Sequence, residues 1–298
     1  MISSVFAVLA AVLIALPALR PRKVEAAVGR WSQRFGLGIT ADVRPFLLRR
    51  RRATWIGYAA GVAVGIELST LLRLVVPPAA PALLQGFVVQ GGALLVGGLG
   101  LLAGGWLAAS LTPPAGPRVA RERAVAVADY VEPFERRLVP AAAVVATVSG
   151  LLPLLLGAPR ERAATALAAG LSALLVAAVA EAVAVLVTTR PQRAGTAAQL
   201  AWADALRADV ARTVLGAGAL LAVGTIVVSA PVVIAAVDRR ADESADQLLI
   251  AYGVLALLAV LSVRAMRQGS ARYFLRRLWP ATAAELARNE RVGTEVER

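Results

Sequence analysis

An apolar run of some 20 residues is not left in water, and this chain carries seven. They fall at roughly 1–19, 54–76, 82–109, 138–157, 165–189, 213–237 and 247–265. Each is about as long as the ~20 residues a helix needs to cross a ~30 Å hydrocarbon core. A backbone in lipid must satisfy its own hydrogen bonds, so the stretches are expected to be helices rather than strands. A soluble core would interrupt such runs with a polar face, yet 215–237 holds no charged residue. The expected fold is therefore all-α: one polytopic transmembrane bundle of seven spans covering 1–298.

The basic residues fall into every second gap. Gaps after the first, third, fifth and seventh stretches hold 10, 5, 4 and 8 of the 32, counting Arg264 at the end of the last stretch. The other five are Arg73, Arg160, Arg162, Arg239 and Arg240. Lys and Arg accumulate on the cytoplasmic side, so the alternation predicts an external amino terminus and a cytoplasmic carboxyl terminus. The first stretch has no basic residues before it; Arg20, Arg22 and Lys23 follow it, so it is expected to be a retained span rather than a cleaved signal. Three hairpins should follow, with external turns near 77–81, 158–164 and 238–246, too short for an external ligand-binding domain. Cytosolic linkers are expected at 20–53, 110–137 and 190–212, with a tail from 266 to 298.

The net charge of +13 follows from the same bias. Inner gaps carry 27 basic against 12 acidic residues, whereas outer gaps carry five of each. Such a surplus is drawn to the anionic inner leaflet at about 1 kcal/mol per nearby basic residue, and calls for no nucleic acid.

Two linkers, 118–135 and 196–212, look suited to surface contacts. In the second, Trp202, Leu206 and Val210 recur every four residues, with Asp204, Arg207 and Arg212 off that stripe. Such a helix can lie in the membrane interface, or dock on a cytosolic partner such as a transport ATPase. In the tail, Arg272, Tyr273, Phe274, Arg276, Arg277 and Trp279 form a basic-aromatic anchor that Pro280 is expected to end. Asp42…Pro45-Phe46…Arg49-Arg50 and Asp129…Pro133-Phe134…Arg136-Arg137 resemble one another, each just before a span. Duplication of a hairpin unit would account for this. So would chance, with Pro ending a linker helix and Arg-Arg anchoring the next span.

The residue inventory removes most chemistries. Cys and His are absent, which excludes disulfides, thiolate nucleophiles, imidazole bases and soft metal sites. The sole Lys, Lys23, lies in a linker, so neither a retinal Schiff base nor a Ser–Lys dyad is available. No Asp lies inside a span. No catalytic residue, cofactor or metal is expected, and the chain is not expected to be an enzyme.

Two carboxylates do lie within spans, Glu67 toward the outer face and Glu181 in the inner half. An acid in hydrocarbon costs about 2.5–3.5 kcal/mol on insertion scales, which makes both candidates for an ion or substrate path. Alternatively each pairs locally, Glu67 with water near Arg73 and Glu181 with a neighbouring helix. Gln85 and Gln90, about 140° apart around the third span, are further candidates or simple interhelical donors. Glycines mark close packing: Gly57, Gly61 and Gly65 on the second span, and Gly97, Gly100 and Gly104 on the third, expected to be central.

Residues Tyr130 to Phe134, with Arg190-Pro191-Gln192 and Ala201 to Arg207, resemble actinobacterial polytopic membrane proteins with no assigned activity. The Arg-rich, Lys-poor usage suits such a GC-rich source. The resemblance covers about 120–212 and implies only an integral membrane protein. The expectation from the residues is a plasma-membrane protein without catalytic equipment, a permease-like or accessory subunit acting with a cytosolic partner or another membrane subunit. The alternative is a self-contained proton-coupled carrier of small solutes using Glu67 and Glu181.

Overall fold

The computed structural model describes residues 2–76, 125–190, 194–238, 253 and 272–285. These are overwhelmingly helical, with no strand among them. The helices are α1 (Ile2–Ala15), α2 (Pro21–Phe35), α3 (Arg44–Val75), α4 (Val127–Tyr130), α5 (Pro133–Leu155), α6 (Arg160–Thr189), α7 (Ala197–Asp238) and α8 (Tyr273–Leu278). Four single helices are long and apolar enough to cross a membrane: Arg44–Leu72, Pro133–Leu155, Arg160–Thr189 and Ala197–Ile226. They contain the whole of the fifth expected span, most of the second and fourth, and about half of the sixth. The third and seventh, 82–109 and 247–265, lie outside the described residues.

The first expected span takes a different form. α1 passes through a 3-10 turn at Leu16–Leu19, and the chain then bends by 78° into α2. Helix and turn together rise about 29 Å, just matching the hydrocarbon core. α2 is amphipathic: Val24, Ala27, Val28, Trp31 and Phe35 are buried on one side, at i, i+3, i+4, i+7 and i+11. Pro21 opens it, and Gly36, at φ 69°, closes it in the left-handed conformation open to glycine.

Proline likewise starts the next helices. Pro45 and Pro133 occupy the first turns of α3 and α5, where a missing N–H costs no hydrogen bond. The expectation that Pro ends a linker helix is thus replaced by one in which it begins a long helix, with the arginines inside it. Between α5 and α6 the turn is tight and includes Gly157, at φ 73°. α6 begins at Arg160, so the turn ends earlier than 158–164 suggested.

α5, α6 and α7 pack against one another as a trio, and α1 pairs with α3. α7 is the most buried of the four single apolar helices. The outward sides of α1, α3, α5 and α6 remain apolar, with Leu9 and Leu13, Leu71 and Leu74, Val148 and Leu155, and Leu175 and Leu186 all exposed. A belt of that kind is not presented to water. It is the surface of a membrane-embedded helical protein.

Candidate functional site

All four basic gaps meet at one end of the bundle. Several of their described polar side chains build a hydrogen-bonded cap, while others, Arg49, Arg52 and Arg137 among them, remain exposed. α7 is the reason: the linker 196–212, expected to be a separate helix lying in the interface or docking on a partner, instead supplies from Ala197 onward the first turns of a single 42-residue helix. At 1.5 Å per residue it is about 63 Å long, twice the hydrocarbon thickness. Its lower part leaves the membrane inside the protein's own cap. Trp202 is fully buried there, donating from Nε1 to the Gly38 carbonyl at 3.0 Å. Phe35 stands edge-on to both Trp202 and Phe274, geometry that aromatic quadrupoles favour.

Asp204 is the hub. Completely buried, it accepts from the Tyr130 hydroxyl through Oδ1 and from Trp279 Nε1 through Oδ2, each at 2.9 Å. One carboxylate thereby ties α4, α7 and the segment after α8. Burial and the neighbouring Asp204 charge raise the Tyr130 phenol well above its usual range, keeping it a donor. Three residues on, Arg207 donates to the carbonyls of Thr188 (3.2 Å) and Arg190, at the carboxyl end of α6. A cation there satisfies orphan carbonyls and complements the helix dipole.

Arg212 and Glu135 form a buried ion pair between α7 and α5. Arg212 Nε donates to Oε2 at 3.0 Å and Nη2 to Oε1 at 2.9 Å, with side-chain exposures of 4% and 6%. Arg34 on α2 pairs with Asp209 on α7 at 2.7 Å. Asp42, exposed before α3, accepts from Thr40 and Thr196, and those hydroxyls hold its carboxyl below the ordinary range.

The tail is correspondingly no anchor. Phe274 and Leu275 are buried in the cap, Arg276 reaches Glu132 at 3.4 Å, and α8 ends before Pro280, which opens a further helical stretch at 280–285. The two repeat-like segments sit differently too: Phe46 is buried, whereas Phe134 is exposed.

Beside the hub, Trp31, Arg50, Arg51, Thr54, Tyr58 and Asp209 line part of a cleft of about 30 Å³ between α2, α3 and α7. The Arg51 guanidinium lies between the Trp31 and Trp55 rings, 4.8 and 4.4 Å from their centroids. Arg50 sits over Phe46 at 5.9 Å.

Among the residues expected to carry function, Glu181 does not stand alone in the membrane. Arg136 on α5 approaches it at 3.4 Å, near the basic end. Glu67 is half-buried on α3 and has no ion-pair or hydrogen-bonding partner among the described residues. Gln85, Gln90, Gly97, Gly100 and Gly104 lie outside those residues. Gly57, Gly61 and Gly65 are all buried along one side of α3, whose main described neighbours are α1, the 3-10 turn after it and α2. Sequence reasoning missed Asp204, Glu135, Arg207 and Arg212 as a unit, treating their charges as orientation signals. The available clue was that opposite charges occur in different linkers, Glu135 in one and Arg212 in another, each next to an apolar span.

An Asp204→Ala variant should remove the acceptor of the buried Tyr130 hydroxyl and of the half-buried Trp279 indole N–H. At about 1–3 kcal/mol for each such group, thermal unfolding in detergent should show a marked loss of stability, and Asp204→Asn a smaller one. Wild-type unfolding of both variants would contradict the buried hub.

Comparison with family models, curated proteins and solved structures finds no match for this chain.

Proposed function

We propose that the chain is a non-catalytic subunit of the bacterial plasma membrane, permease-like or accessory, with its basic end in the cytoplasm and a partner acting there. A transport ATPase fits that description. The supporting observation is the cap: segments from all four basic gaps fold into one hydrogen-bonded body, and α3, α5 and α7 run from it into the apolar belt without a break. Displacement of such a cap by a partner passes directly into membrane helices, because each is stiff and continuous across the boundary. The arginine bias supports a cytoplasmic position for that end.

Affinity purification of the full chain from native membranes in mild detergent is expected to recover a stoichiometric cytosolic partner. Recovery of the chain alone would overturn this reading, and a reporter fused at the carboxyl terminus and found outside would overturn the orientation.

A proton-coupled carrier is the second reading. It is favoured by Glu67, half-buried without a partner among the described residues, while the Arg136 contact weakens the case for Glu181 as a free station. Proton-driven uptake that persists at the wild-type rate in Glu67→Gln and Glu181→Gln variants would reject it.

A further inference from the structure

We propose that the cleft between α2, α3 and α7 is an anion site in which Arg50 and Arg51 bind a phosphate group, supplied by the headgroup of an anionic lipid. The proposal stands on a charge imbalance in a built pocket. Among the described residues that line the cleft, Asp209 is the only acidic one, and its Oδ1 is engaged by Arg34 at 2.7 Å. Arg50 and Arg51 line the same cleft and have no acidic hydrogen-bonding partner among the described residues. Arg207 packs nearby on α7 but spends its guanidinium on backbone carbonyls. One carboxylate therefore faces three guanidinium groups, and the excess is positive.

Arg51 is also preorganised. Its stacking between Trp31 and Trp55 fixes the plane of the guanidinium before any ligand arrives. Its Nε is buried with no hydrogen-bond partner, and a buried donor in that state is normally satisfied by something. Arginine offers paired N–H groups in a rigid fork, which matches the oxygens of a phosphate better than a point charge does. Tyr58 and Thr213 add hydroxyl groups to the wall.

Size and position select the source. A space of about 30 Å³ holds roughly two water-sized groups. It takes the oxygens of a tetrahedral anion but not a whole organic solute, so the rest of the ligand stays outside. Farther along α3, Val64 and Leu68 are exposed and apolar, and both lie within about 40° of Arg50 around the helix. A phosphodiester bound at Arg50 and Arg51 would lay its acyl chains along that side. Arg49 and Arg52, on the same helical turn, are exposed, and supply the diffuse attraction that any anionic surface feels.

The test uses the full-length chain in nanodiscs of phosphatidylcholine with or without phosphatidylglycerol, followed by delipidation and native mass spectrometry. The wild-type protein should retain about one phosphatidylglycerol, and the Arg50→Gln/Arg51→Gln variant should lose about tenfold of that retention, as expected for removal of charge-assisted paired bonds. The Arg49→Gln/Arg52→Gln variant should keep most of it. Equal losses in the two variants would overturn the site in favour of diffuse electrostatics, and undiminished retention in Arg50→Gln/Arg51→Gln would overturn it outright. Should that variant not fold, Arg50→Lys/Arg51→Lys keeps the charge while removing the planar forks. It should lose retention, and wild-type retention would again overturn the proposal. Inorganic phosphate separates the two sources: saturable quenching of tryptophan fluorescence by phosphate in pure phosphatidylcholine discs, with no selective retention of phosphatidylglycerol, would overturn the lipid assignment in favour of a free anion.

Discussion

Glu135→Ala should be among the most damaging single substitutions in this protein. Both members of the Glu135–Arg212 pair are almost wholly buried, and their two forked bonds at 2.9 and 3.0 Å satisfy each other. Removing the carboxylate strips two charge-assisted bonds from a guanidinium that stays buried, and breaking a buried pair from one side costs about 3–5 kcal/mol. Replacing the pair as a whole is a different experiment. Arg212→Met together with Glu135→Leu removes both charges and both desolvation penalties, and buried ion pairs replaced in this way are often neutral or stabilising by about 1–4 kcal/mol. Thermal unfolding in detergent should therefore rank Glu135→Ala lowest, with the apolar double variant near or above wild type. A single variant costing less than about 1 kcal/mol, the range of exposed pairs, would show that the two side chains are solvated.

The same pair shows where reading the sequence stopped. The alternation of apolar stretches with basic gaps is enough to place long helices at 54–76, 138–157 and 165–189: α6 contains its stretch whole, and α3 and α5 contain theirs apart from the last residue or two. It was also enough to group the basic segments, which do meet at one end. Hydropathy, however, marks where lipid begins, not where a helix begins. Residues 197–212 and 44–53 are too polar for hydrocarbon, yet both belong to helices that continue into it. Once these helices project beyond the membrane they must bury one another's polar groups, and which groups meet is set by contacts between residues far apart in sequence: Glu135 with Arg212, Tyr130 with Asp204, Arg34 with Asp209. Nothing local announces such pairs. The amphipathic helix at 21–35 was legible, since Val24, Val28, Trp31 and Phe35 form a regular stripe. The similar stripe of Trp202, Leu206 and Val210 is less telling, because its Trp202 and Leu206 are buried inside the cap rather than spread on the membrane.

Glycine at positions 150 and 170 should prove irreplaceable for a reason the spacing of glycines does not show. Neither belongs to a run of glycines like Gly57, Gly61 and Gly65; each is the single glycine of its helix, four residues after a buried alanine, Ala146 or Ala166. They face one another where α5 crosses α6. A Cβ on Gly150 would lie 2.5 Å from the Ala166 carbonyl oxygen and 3.2 Å from the Gly170 Cα. One on Gly170 would lie 3.0 Å from both the Ala146 oxygen and the Thr147 Cα. The atoms in the way are backbone, so no rotamer change relieves the clash and the helices must separate. Separation would also break the bond at 3.1 Å that Thr147 Oγ1 donates to the Gly170 carbonyl across the interface. Overpacking typically costs about 1–3 kcal/mol, and Gly150→Ala belongs at or beyond the top of that range, with Gly170→Ala below it. The control is Gly29 in α2, where an added Cβ meets nothing within 4 Å. There Gly→Ala should stabilise by up to about 1 kcal/mol through helix propensity alone. Opposite signs at Gly150 and Gly29, measured by thermal unfolding in the same detergent, are the expected result. A Gly150→Ala protein as stable as wild type would mean that α5 and α6 lie further apart than this crossing allows.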